Sequence, residues 1–490
     1  MNNTKTNYSI PLATMTILFF MLGFITCLND ILSPYLKSVF ELNHFEANLV
    51  QFAFFVAYFV ISLIYFIISA TLGDPILKTG YKNTTVVALL VAAVACFLFS
   101  WEATSARPNF GMFLFSLFVL GGGFAILQIA INPLVALLGA ADTASSRLNS
   151  TQAFNSLGTT IAPVIGGYFI FKYFVTENTS GATAVQIPYL FLAGVLLALA
   201  VILYFIHIPN GNIDPSDKLE HKAGALRYPH LVFGMFGIFC YVGAEVTIGN
   251  NLISYMKEYR GLAEALASPF LAFYWGGAMI GRFMGALSMS KMQSLRKYIL
   301  MAVAAIAAVA LIYFVFLFGL YKNDEPTITN IILSEADLFV KFKMLITSGI
   351  MKEVLYFLVF VVLNYLVFIA ARSLPSRTLG YFAGMNIMLI ATMLLTTGGL
   401  SLWAILGVGL FNSIMFSNIF TLAIKGLGKY TSQGSSLLVM MILGGAVLPP
   451  LQGLIADKTH DLHLSFILPL VCYAYLMWYG LKGCNIKRKM

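Results

Sequence analysis

NFGMFLFSLFVLGGGFAILQIAINPLVAL, residues 109–137, runs without a single charged side chain. It exceeds the roughly 20 apolar residues that carry a helix across a bilayer. Such a run in lipid must satisfy its backbone polar groups internally, so it reads as a spanning helix. Comparable runs lie on both sides of it. In the first half they fall at about 11–33, 49–70, 84–101, 150–172 and 187–207. In the second they fall at about 231–254, 268–289, 298–320, 353–371, 380–398, 401–423, 433–456 and 465–482. With the opening run this predicts fourteen spans in an all-α membrane protein.

Composition agrees. Of 490 residues only 10% are charged and 59% are hydrophobic, with a mean hydropathy of +0.86. A soluble domain carries about 25% charge, so soluble enzymes, disordered chains and secreted disulfide scaffolds are excluded. The net charge of +9 is read as loop charge holding the cytoplasmic side, not as a nucleic-acid surface. With the N-terminus placed inside, the inner segments hold the larger share of Lys and Arg, including the tail at 487–489. Both termini are therefore expected in the cytoplasm. The first apolar run lacks a convincing cleavage site and is read as a retained helix. The loop at about 321–352 is outer and too polar to span. No Cys or His spacing suits a metal, so no metal, cofactor or enzymatic centre is expected.

The polar stretch 210–230 separates two bundles, 1–209 and 231–490. Three short echoes relate them, as expected of a parallel-repeat transporter. FITCLND at 24–30 and FCYVGAE at 239–245 share one spacing and each end on a carboxylate, Asp30 and Glu245. Residues 121–133 echo 407–419, and 151–167 echo 431–445. This register makes 298–320 and 353–371 surplus, an inserted pair within about 292–376.

Chemistry inside the spans is sparse and therefore informative. A carboxylate within a span costs at least about 2.5 kcal/mol and faces a cavity or a polar partner. Asp30 is a candidate proton carrier, against a helix-end carboxylate in outer water. Glu245 is a candidate cavity residue, against a structural pairing with an Arg or an amide. Gln128 and Asn132 share a helix face four residues apart, and Gln152 and Asn155 lie three apart. Asn412 and Gln433 are their approximate counterparts. Amides both donate and accept, which suits a neutral polyhydroxyl ligand better than an anion. Helix–helix hydrogen bonding is the competing reading. Trp275 and Trp403 are candidates for stacking on a sugar ring. Gly121–Gly123 and the pair Gly276 and Gly277 allow close helix contact. Asp74 and Lys78 lie in an inner loop, GDPILKTGYK at 73–82, and Arg282 near an inner helix end is read as a gate or clamp, against ordinary snorkelling.

These residues carry a resemblance. LNDIL at 28–32, NP at 132–133, RLN at 147–149, QAFNS at 152–156, GAE at 243–245, GGAMIGRF at 276–283, GLFNSIMF at 409–416 and TSQGS at 431–435 resemble the major facilitator superfamily. More closely they resemble its fucose, glucose and galactose permease branch. The resemblance covers nearly the whole chain except about 292–376. It implies the major facilitator fold and a bacterial inner-membrane sugar symporter, working as a monomer on a neutral hexose. It places proton coupling on Asp30, and sugar contacts on Asn29, Gln128, Asn132, Gln152, Asn155, Glu245, Asn412 and Gln433. Gating falls on Asp74, Lys78, Arg147 and Arg282. Fucose members have Glu where this chain has Gln128, which points to glucose or galactose. Fucose, mannose and N-acetylglucosamine remain alternatives, as do sodium coupling and a non-transporting sugar sensor. Leu77 stands where the pattern has an acid, which alters the usual gating salt bridge. Asn418 stands where these members have Pro, which implies a less kinked helix there.

Overall fold

A computed structural model of the chain describes residues 8–42, 44–168, 183, 185–208, 222–262, 264–322, 326–347 and 350–485. Most of the stretch 210–230, the end of the fifth predicted span and the basic tail lie outside the described residues, as do the side chains of Asn29 and Asp30. By packing, the chain forms two compact units, one of residues 1–239, 419–446 and 483–490, the other of residues 240–418 and 447–482.

The first unit contains α1 (Ser9–Val39), α2 (His44–Thr71), α3 (Pro75–Ala103), α4 (Phe110–Leu137), α5 (Ala144–Tyr168), α6 (Gln186–Phe205) and the start of α7 (Pro229–Arg260). α1 packs on α5, α2 on α4, and α3 on both α4 and α6. Local sequence sets the helix starts. Asp74 caps α3 by accepting the Ile76 N–H at 2.9 Å, with Pro75 at the first helical position. Asn109 caps α4 by accepting the Gly111 N–H at 2.8 Å. The glycines of α4 do what the sequence led us to expect. A Cβ at Gly121 would strike the Phe54 carbonyl of α2, and one at Gly123 would strike the backbone of α3 at Ala92.

The second unit takes the rest of α7, then α8 (Glu264–Ala267), α9 (Leu271–Ser288), α10 (Ser294–Lys322), α11 (Pro326–Leu333), α12 (Leu338–Thr347), α13 (Ile350–Ala370), α14 (Pro375–Leu395), α15 (Gly398–Asn412) and the start of α16 (Met415–Ala423). After α17 (Thr431–Met440), which belongs to the first unit, most of α18 (Gly444–Thr459), then α19 (Leu462–Ser465) and α20 (Ile467–Trp478) complete it. α14 packs on α15 and α20, and α9 packs on α15. This repeats the scheme of α3 with α4 and α6, and of α2 with α4. In that correspondence α10 and α13 have no partner in the first unit. α17 packs against α2 and α4, fastened by a 2.9 Å hydrogen bond from the Ser435 hydroxyl to the Ile129 carbonyl.

The long apolar helices fall short of the expected count. Among the described residues eleven helices are long and apolar enough to cross a membrane, and 355–370 is a shorter apolar helix. A count of fourteen is therefore not reached by length and apolarity. The physical reason lies in α5 and α9. α5 is rich in Ser, Thr, Asn and Gln, and α9 carries Arg282, so both devote much of their surface to polar and close-packed contacts. The helix near Asn418 is interrupted at residues 413–414, between α15 and α16, although no proline stands there. Side chains take over the carbonyls at that break.

Candidate functional site

Three mutually packed helices of the first unit, α1, α4 and α5, carry the predicted amides. Gln128 is buried, and its Nε2 donates to the Tyr58 hydroxyl at 3.2 Å. One turn later Asn132 is fully buried and donates to the Gln128 carbonyl at 3.0 Å, close to the Gln128 side-chain oxygen at 3.4 Å. Among the described residues the Asn132 side-chain oxygen has no donor. On α5, Gln152 is buried one turn before Asn155, whose Nδ2 donates to the Phe19 carbonyl of α1 at 2.9 Å. The structure thus brings Gln128 and Asn132 together and ties Asn155 to the helix whose backbone carries Asn29 and Asp30.

The second unit builds a different arrangement around Glu245 and Asn412. Arg282 on α9 lies 3.8 Å from the Glu245 carboxylate on α7, and the two side chains are 9% and 12% exposed. Arg282 also donates to the Ser413 carbonyl at 3.0 Å and to the Tyr241 hydroxyl at 3.2 Å. That hydroxyl stands beside the same carboxylate. Tyr274 donates to the Glu245 backbone carbonyl at 2.9 Å and accepts from Asn412 Nδ2 at 3.1 Å. Asn412 Oδ1 accepts from Tyr473 at 2.6 Å and from Asn386 at 2.9 Å. Gly409 makes this possible: a Cβ there would collide with the Tyr274 backbone, so only glycine lets α15 approach α9. A cation, a carboxylate, three tyrosines and two amides share one buried polar network. It can bind a polyhydroxyl ligand through alternating donors and acceptors.

The aromatic expectations divide. Trp403 is buried among Phe270, Phe273, Tyr356 and Phe357 and belongs to the apolar core, so stacking on a sugar is withdrawn for it. Trp275 is half-buried, with Gly249 of α7 beneath its ring.

Three of the predicted gating residues, Asp74, Lys78 and Arg147, lie in the first unit. Asp74 is buried and accepts from Tyr65 at 2.7 Å, from Ser69 at 3.1 Å, from the Ile76 N–H and from Ser432 at 2.5 Å. Its described partners are hydroxyls and backbone, which accounts for the chain managing without the expected acid at Leu77. Lys78 donates to the Leu72 carbonyl at 2.6 Å, at the end of α2. Gln433 sits beside Asp74 in the first unit. It donates to Ser69 at 3.3 Å and to the Lys222 carbonyl at 3.2 Å, and accepts the Ala225 N–H at 2.9 Å. Arg147 closes the end of α4 by donating to the carbonyls of Val135 at 3.0 Å and Ala136 at 2.6 Å, and to Ala140 and Thr143. Burial pulls its guanidinium below the ordinary value, opposed by Asp142, and an arginine so placed stays charged. The described partners of Arg282 all lie in the second unit.

Sequence reasoning missed Tyr58, Tyr241, Tyr274, Tyr473 and Asn386. Asn386 carries a visible signal, an amide inside an apolar run. The tyrosines, among 24, carry none.

Comparison with known proteins adds to this geometry. The model of the Major Facilitator Superfamily matches residues 14–351. The chain is 39% identical over 485 residues to a glucose/galactose transporter of Brucella abortus, covering 98% of this chain and 96% of that one. It is 26% identical to an L-fucose-proton symporter of Escherichia coli, covering 96% and 92%. Among solved structures it is similar to FucP, a Major Facilitator Superfamily transporter in the outward conformation. That likeness has a TM-score of 0.71 at 25% identity and covers 96% of this chain and 98% of the other.

Proposed function

The chain belongs to the Major Facilitator Superfamily, and we propose that it imports a neutral hexose, glucose or galactose, by proton symport through alternating access. The observation that carries this reading is the near full-length likeness to a glucose/galactose transporter together with the amide-lined helices α4 and α5. Gln128 supports hexose over fucose, since it is an uncharged group held by Tyr58 at a position where the resemblance puts Glu in fucose members.

In this reading Asn29, Gln128, Asn132, Gln152, Asn155, Glu245 and Asn412 contact the sugar. Asp30 carries the proton. Its protonation removes the cost of moving a charge through the bilayer, so proton and sugar each favour binding of the other. Asp74, Lys78, Arg147 and Gln433 stabilise the inner closure, and Arg282 stays with Glu245. Gln433 moves from sugar contact to closure because its partners are Ser69, Lys222 and Ala225. The chain spans the bacterial inner membrane fourteen times as a monomer, with both termini cytoplasmic. Two six-helix bundles, joined by 210–230, and an inserted pair, α10 and α13, make up that count.

The test uses the purified chain in proteoliposomes. With sodium absent, an inward proton gradient should drive accumulation of radiolabelled glucose above equilibrium. Asp30→Asn should lose accumulation while keeping exchange of internal for external glucose. Equal initial rates with and without the gradient, or undiminished accumulation by Asp30→Asn, would reject proton coupling through this residue.

A further inference from the structure

α13 is apolar along most of its length, yet it buries an amide completely. Asn364 is 0% exposed, and its Nδ2 donates to the Leu410 carbonyl of α15 at 3.0 Å. Among the described residues its side-chain oxygen has no donor. An amide buried in an apolar span is costly, and this one is engaged only at its donor end. Its position explains why it is worth keeping. Leu410 lies in the last turn of α15, where carbonyls lose their helical partners. The same carbonyl accepts from the Ser413 hydroxyl at 2.7 Å, and the carbonyl of Ser413 itself accepts from Arg282 at 3.0 Å. Three side chains therefore hold the break between α15 and α16. Asn412 is the last residue of α15, immediately before that break.

The rest of α13 is seated along the same helix. Phe360 lies against Gly407, where a Cβ would collide with its ring. Tyr356 and Phe357 close on Trp403, also of α15. Below the break, Phe368 stacks edge-on against Phe382, which in turn meets Phe411. α10 supports the arrangement from behind through Phe316, which packs on Phe273 of α9. A helix pair without counterpart in the first unit thus contributes one polar side chain to the second. It delivers that side chain two residues from Asn412.

We propose that α10 and α13 brace the broken helix, with Asn364 as a positioning residue that sets the orientation of Asn412 toward the hexose. The inference rests on the reading of Asn412 as a sugar-binding amide. Asn364 itself does not touch the sugar. Removing its donor lets the last turn of α15 relax, and the Asn412 amide then meets the hydroxyls in poorer geometry. Stability changes little, because Asn364→Leu discards an unpartnered oxygen together with the one hydrogen bond.

The experiment is glucose exchange in proteoliposomes without any ion gradient, read as half-saturation and maximal rate, beside thermal unfolding in detergent. Asn364→Leu should raise the half-saturation concentration about fivefold, with the maximal rate and melting temperature held. Asn364→Gln, which retains an amide donor, should recover at least half of that shift. Asn412→Ala should abolish saturable exchange, and the double variant should be no worse. Unchanged half-saturation in Asn364→Leu while Asn412→Ala is inactive overturns the brace. A melting-temperature loss without an affinity change also overturns it. Normal exchange by Asn412→Ala overturns the substrate reading itself. Should Asn364→Leu fail to assemble, Ser413→Ala, which removes the second donor to the same carbonyl, carries the test. It should raise half-saturation in the same direction, and an unchanged value rejects the proposal.

Discussion

Two buried carboxylates, Asp74 and Glu245, solve the same problem in opposite ways. Asp74 accepts four hydrogen bonds, from Tyr65, Ser69, Ser432 and the Ile76 N–H. Each oxygen is used twice, and the charge is spread over donors fixed on α2, α3 and α17. Glu245 instead faces one cation across 3.8 Å and the Tyr241 hydroxyl, and its side chain keeps 12% of its exposure. A carboxylate with every lone pair engaged is a fastener. A carboxylate with a loose counter-ion and spare acceptor capacity can take a ligand hydroxyl without breaking its surroundings. Donor count, not burial, separates the two roles.

The largest test of this contrast is at Arg282. Arg282→Met leaves Glu245 without its counter-ion and should destabilise the protein by about 3–5 kcal/mol. Glu245→Gln combined with Arg282→Met removes both charges and should recover most of that loss in chemical unfolding. Equal losses in the single and double variants would mean that packing, not charge pairing, holds the network. Asp74→Ala comes next. It removes a helix cap and three hydroxyl contacts, and should cost about 2–3 kcal/mol, with Asp74→Asn losing roughly half as much. A smaller effect from Ala than from Asn would break the fastener reading.

The smallest effect is at Asp461, a carboxylate at a loop rather than in a span. Tyr259 donates to it at 2.7 Å and the Leu464 N–H at 3.1 Å. These bonds, the Tyr259 hydroxyl first, hold its carboxyl below the ordinary value. A depressed folded value contributes stability that is complete above the unfolded value of about 4 and disappears as pH falls through the folded one. Wild type should therefore lose slightly more stability than Tyr259→Phe between neutral pH and about pH 3. Melting curves across that range that run parallel for the two proteins would show the interaction to be fully screened.

Much of the site was legible in sequence because amides and carboxylates are conspicuous in apolar runs. Gln128, Asn132, Gln152, Asn155, Glu245 and Asn412 all announce themselves this way. Their partners do not. Tyr241, Tyr274 and Tyr473 resemble any of the other tyrosines until folding aims their hydroxyls at Arg282, Glu245 and Asn412. Gln433 shows the converse: the repeat matched it to Asn412 and the amides of α4 and α5, whereas its neighbours make it part of the Asp74 cluster. A repeat places a residue along a helix but does not fix which face that helix turns inward.

The sequence alone determined that the chain lives in lipid, that helices are its only means of satisfying its backbone there, and that its few polar groups must be accounted for. Those conclusions follow from hydropathy and span length, which are properties of local segments. Tertiary structure alone decided which polar groups meet. It brought Asn364 to the Leu410 carbonyl 46 positions away, and Asp74 to Ser432 across 358. Hydrogen bonds at such separations depend on how helices cross, and no local pattern in the chain encodes a crossing.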